Sequence, residues 1–110
     1  MPRYMLSVKM TPAGLQARTQ GGFVAWGQAG RTATESLGGT VECSYVAPAT
    51  SEWDFFTIVN LPSSDGVFTL ANAVMSGGAV QRAGSVELRT PEEADAAMGT
   101  KVAYESPVQA

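Results

Sequence analysis

Side chains capable of chemistry are few in this chain. Its 110 residues contain no histidine and one cysteine, Cys43. The chain therefore lacks an imidazole base, a histidine-oriented nucleophile and the usual zinc ligands. It also cannot form an intrachain disulfide or a cysteine-rich metal cluster. Acid–base chemistry would have to use Asp, Glu, Lys or Tyr. We expect no metal, no cofactor and a buried, inert Cys43 thiol.

Asp54 is the sharpest polar candidate for a functional group. It stands in an apolar stretch of sequence, where a charged carboxylate needs hydrogen-bond donors or a cationic partner. A ligand-binding role is one interpretation. The commoner one is structural: a residue at the start of a strand, bonded to N–H groups of a turn or paired with an arginine.

The other candidates are aromatic or cationic. Trp26 and Trp53 could stack on a flat ligand, although core packing is the commoner role of tryptophans on apolar faces. Lys9 and Arg82 would bind an anion or a phenolate if they faced an enclosed interior; otherwise they extend to the solvated rim. Tyr4 could donate a proton to a ligand oxygen or pack at the edge of the core. The candidate ligand-binding residues are Tyr4, Lys9, Trp26, Trp53, Asp54 and Arg82.

Composition narrows the class of partner. The net charge is −3 and the seven Lys and Arg residues form no basic run, which argues against a nucleic-acid surface. The sequence has no 18-residue apolar stretch and no basic-then-apolar leader, so we expect no membrane contact and a cytoplasmic location. An apolar share of 45% in 110 residues is typical of one folded domain.

The spacing of apolar residues predicts the strands and helices that carry these candidates. Alternation predicts strands at residues 3–10, 40–47, 52–61 and 79–88. Helical spacing predicts helices at residues 11–37, with a break near 21–22, at 63–76 and at 90–98. The order β-α-β-β-α-β with a short C-terminal helix is the ferredoxin-like α+β pattern. Residues 1–98 form the predicted domain and residues 99–110 a C-terminal tail.

Capping residues and glycines affect these helices in opposite ways. Thr11 followed by proline predicts a helix start, and Thr90 with Glu93 predicts a capping box. Gly14, Gly27 and Gly30 weaken the first helical region intrinsically. We expect them to mark places where the helix approaches the sheet closely.

The third predicted strand carries bulk on both of its faces. One face has Trp53, Phe55, Val59 and Leu61, and the other has Phe56 and Ile58. Two helices can cover only one face of a ferredoxin-like sheet, and an exposed apolar face is uncommon in monomers. We therefore expect two copies to pack sheet against sheet as a dimeric α/β barrel, with higher oligomers left open.

Several short motifs follow one another along the chain: Arg3-Tyr4, Thr11-Pro12-Ala13-Gly14-Leu15, Glu35-Ser36-Leu37-Gly38-Gly39, Ser51-Glu52-Trp53-Asp54, Leu61-Pro62, Ser76-Gly77-Gly78 and Thr90-Pro91-Glu92-Glu93. In this order and spacing they make the chain resemble the GYD-domain family of the dimeric α/β-barrel superfamily. Ser51 and Trp53 stand where the family has Gly and Tyr in Gly-x-Tyr-Asp. An indole N–H can donate a hydrogen bond there but cannot act as a general acid or base. The family has no agreed biochemical function, so the resemblance implies a fold and not an activity.

Three functions remain open from the sequence. The first is a non-catalytic or small-molecule-binding homodimer that takes an apolar or aromatic ligand in the barrel cavity. The second is a cofactor-independent oxygenase or isomerase, by analogy with enzymes of this fold, using Trp26, Asn72, Tyr4 and Arg82. The third is a partner-binding subunit that uses its C-terminal tail. The missing catalytic constellation favours a protein that is not an enzyme.

Overall fold

The protein has four strands and four helices in the residues that its computed structural model describes, 1–108. In chain order they are β1 (Arg3–Met10), α1 (Pro12–Gly21), α2 (Phe23–Ser36), β2 (Thr40–Val46), β3 (Phe55–Asn60), α3 (Ser64–Ser76), β4 (Val80–Leu88) and α4 (Pro91–Ala97). This is the predicted α+β order, with the first helical region divided in two. Residues 109–110, the end of the predicted tail, lie outside the described residues.

The four strands form one antiparallel sheet in the order β2-β3-β1-β4. The two most apolar strands, β1 and β3, are central, and the cleanly alternating β2 is at an edge. Both positions agree with the sequence pattern, because a central strand is covered more fully than an edge strand. The topology is ferredoxin-like.

The sheet has two faces with different surroundings. Tyr4 is paired with Val59 and Leu6 with Thr57 on the helix-side face, against which α2 and α3 pack. The opposite face, here called the outer face, carries the side chains of the intervening residues. Its apolar members are Met5, Cys43, Tyr45, Phe56, Ile58, Val86 and Leu88. The Cys43 thiol is half-buried and not fully buried as expected, because it is on an edge strand.

The break between α1 and α2 is at Gly22. Its φ of 90° is in the left-handed region, which glycine adopts without the steric cost of a Cβ atom, and its N–H donates to the Arg18 carbonyl at 3.0 Å. The start of α1 is also as predicted: the Thr11 hydroxyl accepts the N–H of Gly14 at 3.0 Å. Local sequence therefore sets both ends of this short helix.

The helix glycines do not share one cause. A Cβ atom on Gly14 would collide with the Ala79 carbonyl group, so close packing explains this glycine as expected. For Gly27 and Gly30 the expectation is wrong, because a Cβ atom there would meet no atom within 4 Å. These two glycines border open space.

The third strand starts later than predicted. Residues 49–54 form a turn, and β3 begins at Phe55. This turn interrupts the alternation from which Trp53 was predicted to share a face of the strand with Phe55. Trp53 instead lies on the outer face, where its ring would be 3.2 Å from a Cβ atom on Gly84.

The core is small. Tyr4, Val59 and Leu61 form its buried cluster, and Leu6, Leu37, Val41 and Val67 pack against it. Beyond β4, the short α4 is exposed except at Ala97, and no further helix or strand follows up to residue 108. Within the described residues, no helix combines the length and hydropathy required to cross a membrane.

Candidate functional site

An apolar cavity of about 250 Å³ lies between the helix-side face of the sheet and helices α2 and α3. Helix α2 contributes Trp26, Ala29, Gly30, Ala33 and Thr34, and α3 contributes Val67, Leu70, Ala71 and Val74. The sheet contributes Leu6, Ser7, Val8, Phe55, Thr57, Val80, Ala83, Gly84 and Ser85. The cavity is partly open to solvent.

Helical spacing and small side chains create this space. Trp26, Gly30 and Ala33 recur at helical intervals, so they share the side of α2 that faces the sheet. Ala83 and Ser85 face them from β4. Because most of these side chains are small, they leave part of the volume between the sheet and the helices unfilled.

The wall of the cavity contains no ionisable side chain. Its hydroxyl groups are partly engaged with the backbone: Thr34 donates to the Gly30 carbonyl at 2.8 Å, and Thr57 donates to the Cys43 carbonyl at 3.1 Å. The site can therefore bind an apolar ligand by burying its surface. It offers no group that titrates near neutral pH to move a proton.

The six predicted candidates are divided among three places. Trp26 lines the cavity, whereas Tyr4 is buried in the neighbouring core cluster. The remaining four lie at the 49–54 turn or next to it: Lys9, Trp53, Asp54 and Arg82. Asn72, named for the enzyme alternative, is exposed on α3 and donates its side-chain amide to the Phe68 carbonyl. The structure thus does not bring the candidates together around one ligand.

Asp54 is the centre of a buried polar cluster. Its side chain is 0% exposed. One carboxylate oxygen accepts the N–H of Met10 at 2.8 Å, and the other accepts Lys9 Nζ at 3.3 Å. Its own N–H donates to the Val8 carbonyl at 2.8 Å. These bonds tie the end of β1 to the start of β3.

Two cations complete the cluster around Asp54. Lys9 Nζ also donates to the carbonyls of Ala49 at 3.0 Å and Ser51 at 2.8 Å. Arg18 is 5% exposed, and its Nη1 donates to the Asp54 carbonyl at 3.0 Å. Its guanidinium also lies 5.0 Å from the ring centre of Phe23. Asp54, Lys9 and Arg18 therefore hold the 49–54 turn against the end of β1 and against α1.

Arg18 was missed by reasoning from the sequence. Its burial could have been predicted from its position. Arg18 follows Gly14 by four residues and so shares the side of α1 that faces the sheet. A buried arginine on that side requires an acceptor. Since the acceptor is the backbone carbonyl of Asp54, the sequence contains no acidic partner from which this contact could be predicted.

The outer side of the same turn is held by Arg82 and Trp53. The Arg82 guanidinium lies 4.5 Å from the Trp53 ring centre and donates to the Glu52 carbonyl at 3.0 Å. The Trp53 ring rests over Gly84, beside the buried Ser7. Lys9 and Arg82 thus bind backbone carbonyls of the turn, on the face opposite to the cavity.

Two surface carboxylates have perturbed acidities. The Arg3 guanidinium donates to Glu42 at 2.8 Å and, with the Asn60 amide, lowers the pKa of Glu42. The Thr90 N–H donates to Glu93 at 3.0 Å and is the main reason that the pKa of Glu93 is lowered. The second pair is the predicted capping box. Among residues 1–108, no group of three or more His, Cys, Asp or Glu residues is placed to hold a metal ion.

The fold and cavity define a small ferredoxin-like α+β domain with an apolar site between its sheet and its helices. A family model described as GYD domain matches residues 4–98. The chain therefore belongs to the GYD-domain family, which confirms the resemblance. No curated protein and no solved structure matches the chain significantly.

Proposed function

We propose that this protein is a homodimeric domain that binds one small, uncharged, apolar or aromatic molecule without transforming it. The observation that carries the proposal is the cavity of about 250 Å³ whose wall has no ionisable side chain. A bound anion or cation would lose its hydration there without gaining a charged partner. A neutral ligand loses little and gains apolar contact.

The size of the cavity narrows the ligand further. Benzene binds in an apolar cavity of about 150 Å³, and pockets for drug-sized ligands start at about 300 Å³. A volume of about 250 Å³ therefore suits a single substituted ring or a compact aliphatic molecule. Trp26 offers an aromatic surface for such a ring, in the offset or edge-on geometry that aromatic pairs prefer.

Two glycines of α2 provide a matched test of the cavity. Both Gly30 and Gly27 have open space where a Cβ atom would be, but only Gly30 lines the cavity. Gly30→Leu should fill the site, whereas Gly27→Leu places the same side chain outside it. Calorimetric titration with neutral single-ring aromatics should show binding by the native protein and by Gly27→Leu, and at least tenfold weaker binding by Gly30→Leu. No binding by the native protein, or equal binding by both variants, would refute the proposal.

The outer face supports the homodimer. Phe56 and Ile58 are half-buried there, and Tyr45 and Val86 are exposed beside them. Pairing this face with its copy across a two-fold axis would cover the apolar side chains and form the dimeric α/β barrel expected from the sequence. Light scattering after size exclusion should give twice the mass of 11.5 kDa. A monodisperse monomer at micromolar concentration would count against the dimer.

A cofactor-independent oxygenase or isomerase is the second candidate. Trp26 in the cavity wall is the observation in its favour. Such an enzyme would rely on the ligand's own reactivity, because the Tyr4, Asn72 and Arg82 side chains do not line the site. Product formation from a bound ligand under air, followed by mass spectrometry, would favour the enzyme over the binding module.

A further inference from the structure

The residues after α4 have the pattern of a strand without a neighbour. We call residues 98–108 the C-terminal arm. Its large apolar side chains are between 75% and 84% exposed: Met98, Val102, Tyr104 and Val108. Met98 closes the last turn of α4 and residues 107–108 form a bend, so alternation applies to the stretch between them. Val102 and Tyr104 are two residues apart, and an extended arm would present both on one side, because successive side chains of a strand alternate. Such a one-sided apolar segment requires a surface to cover it.

The chain exposes more area than a compact monomer of its mass. Its accessible surface is 7383 Å², whereas a folded monomer of 11.5 kDa exposes about 5,800 Å². Its radius of gyration is 16.9 Å, compared with about 13 Å for a compact domain of this length. The surplus of about 1,600 Å² exceeds the roughly 800 Å² that each partner buries in a stable complex. The exposed C-terminal arm accounts for part of this surplus, and covering the arm against a second copy would reduce it.

A shallow, open groove lies along the free edge of β2. Its volume is about 410 Å³, and it borders the cavity above, with which it shares Phe55. The first two turns of α2 form one wall, and the sheet forms the other. Phe23, Val24 and Val46 are its exposed apolar side chains, and the polar residues Gln28, Arg31 and Ser44 line the rest. The groove thus combines an apolar wall with the unpaired backbone of an edge strand, since β2 pairs only with β3 among residues 1–108.

We propose that the C-terminal arm of one copy adds as a fifth strand to the free edge of β2 in a second copy. Its backbone would pair with β2, and Val102 and Tyr104 would enter the groove. This proposal rests on the homodimer proposed above and names a contact beyond the outer face. It also removes an exposed strand edge, which is a site for unwanted pairing.

The arm of the same chain does not occupy that groove. It follows β4, which lies at the opposite edge of the sheet from β2. The arm is exposed in the single chain and does not line the groove. Exchange between two copies would satisfy both arms equally, as a two-fold axis requires.

The proposal predicts which arm residues lie beside Cys43. Cys43 is paired with Ile58 on the outer face, opposite to the groove. If even-numbered arm residues enter the groove, the odd-numbered residues Lys101, Ala103 and Glu105 share the outer face with Cys43. Disulfide formation with Cys43, the single native cysteine, therefore shows which arm residues lie on the outer face.

Cysteine scanning along the arm tests the arrangement. Single changes to cysteine at 101, 103 and 105, and at 100, 102 and 104, are oxidised with a copper–phenanthroline catalyst under air. The two thiols lose two electrons and two protons to oxygen and form one disulfide. At least one odd-numbered variant, with Ala103→Cys the central one, should give a covalent dimer at fivefold or greater yield over the even-numbered variants. Adding Cys43→Ser should remove that dimer.

Each contrary result overturns the proposal. These results are equal crosslinking at odd and even positions, a dimer that persists with Cys43→Ser, and a disulfide confined to single chains. Truncation after Gly99 should also weaken the dimer at least tenfold by light scattering across a dilution series. An unchanged dimer after truncation would refute arm exchange and leave the proposed homodimer standing. A monomeric full-length protein would refute both.

Discussion

Replacing Asp54 with alanine should destabilise the protein by about 2–4 kcal/mol. The carboxylate is fully buried, and its loss leaves the buried N–H of Met10 without an acceptor. An orphaned buried donor costs about 1–3 kcal/mol. The Lys9 ion pair adds on the order of 1 kcal/mol, because Lys9 is 19% exposed and keeps two carbonyl acceptors.

Asp54→Asn is the matched control for the role of charge. Its amide oxygen can still accept the Met10 N–H, but its NH2 group replaces the oxygen that accepts Lys9 Nζ, so the ion pair is lost and two donors face each other. We therefore expect asparagine to cost less than alanine, about 1–2 kcal/mol. The two effects separate the backbone hydrogen bond from the charge interaction.

Urea denaturation monitored by circular dichroism measures both variants. The free energy of unfolding and the m-value should be determined at one protein concentration, since subunit association adds to apparent stability. A loss below about 0.5 kcal/mol for Asp54→Ala would refute the structural role of this carboxylate. Loss of ligand binding by folded Asp54→Asn would instead assign the carboxylate a functional role.

Two further predictions concern helix glycines and acidity. Gly30→Ala should raise the free energy of unfolding by up to about 1 kcal/mol, because alanine has the better helix propensity. Gly14→Ala should lower the free energy of unfolding, because the new methyl group meets the Ala79 carbonyl. Urea denaturation measures both variants, and two changes of the same sign would contradict the packing described for these glycines. The Thr90 N–H lowers the pKa of Glu93 below its ordinary 4.5, so the stabilisation by this carboxylate is fully present above that pH and is lost as pH falls through the lowered pKa. Carbon NMR should show the titration midpoint of Glu93 below 4.5, and Glu93→Gln should remove the acid-induced loss of order in α4; a midpoint at or above 4.5 would contradict this hydrogen bond.

The arrangement of the sheet was predictable because it follows from local pattern. Alternating residues marked all four strands, and their order with the helices is that of the ferredoxin-like sheet, in which β1 and β3 are central. The caps at Thr11 and Thr90 were also readable, since each forms within four residues. The start of β3 was misplaced because the turn at 49–54 contains the apolar Trp53, which alternation alone cannot distinguish from a strand residue.

The cavity was not predictable in its observed place. Its wall comes from two helices and three strands, and small residues such as Gly30 and Ala33 look the same in sequence whether they touch a neighbour or face a space. Close packing was the expected reason for Gly30, and the expected place for a ligand was the interior of a barrel. The structure instead contains a cavity between one sheet and its own helices.

Element order, family membership and the excluded chemistry were all readable from the chain, because composition and periodicity do not depend on how distant segments meet. Without histidine, no arrangement of this chain has an imidazole base. The folded molecule alone shows that Asp54 and Lys9 brace a turn while Trp26 lines a cavity. The physical reason is that a contact, or a space, depends on what the opposite element presents, and that element is distant in sequence.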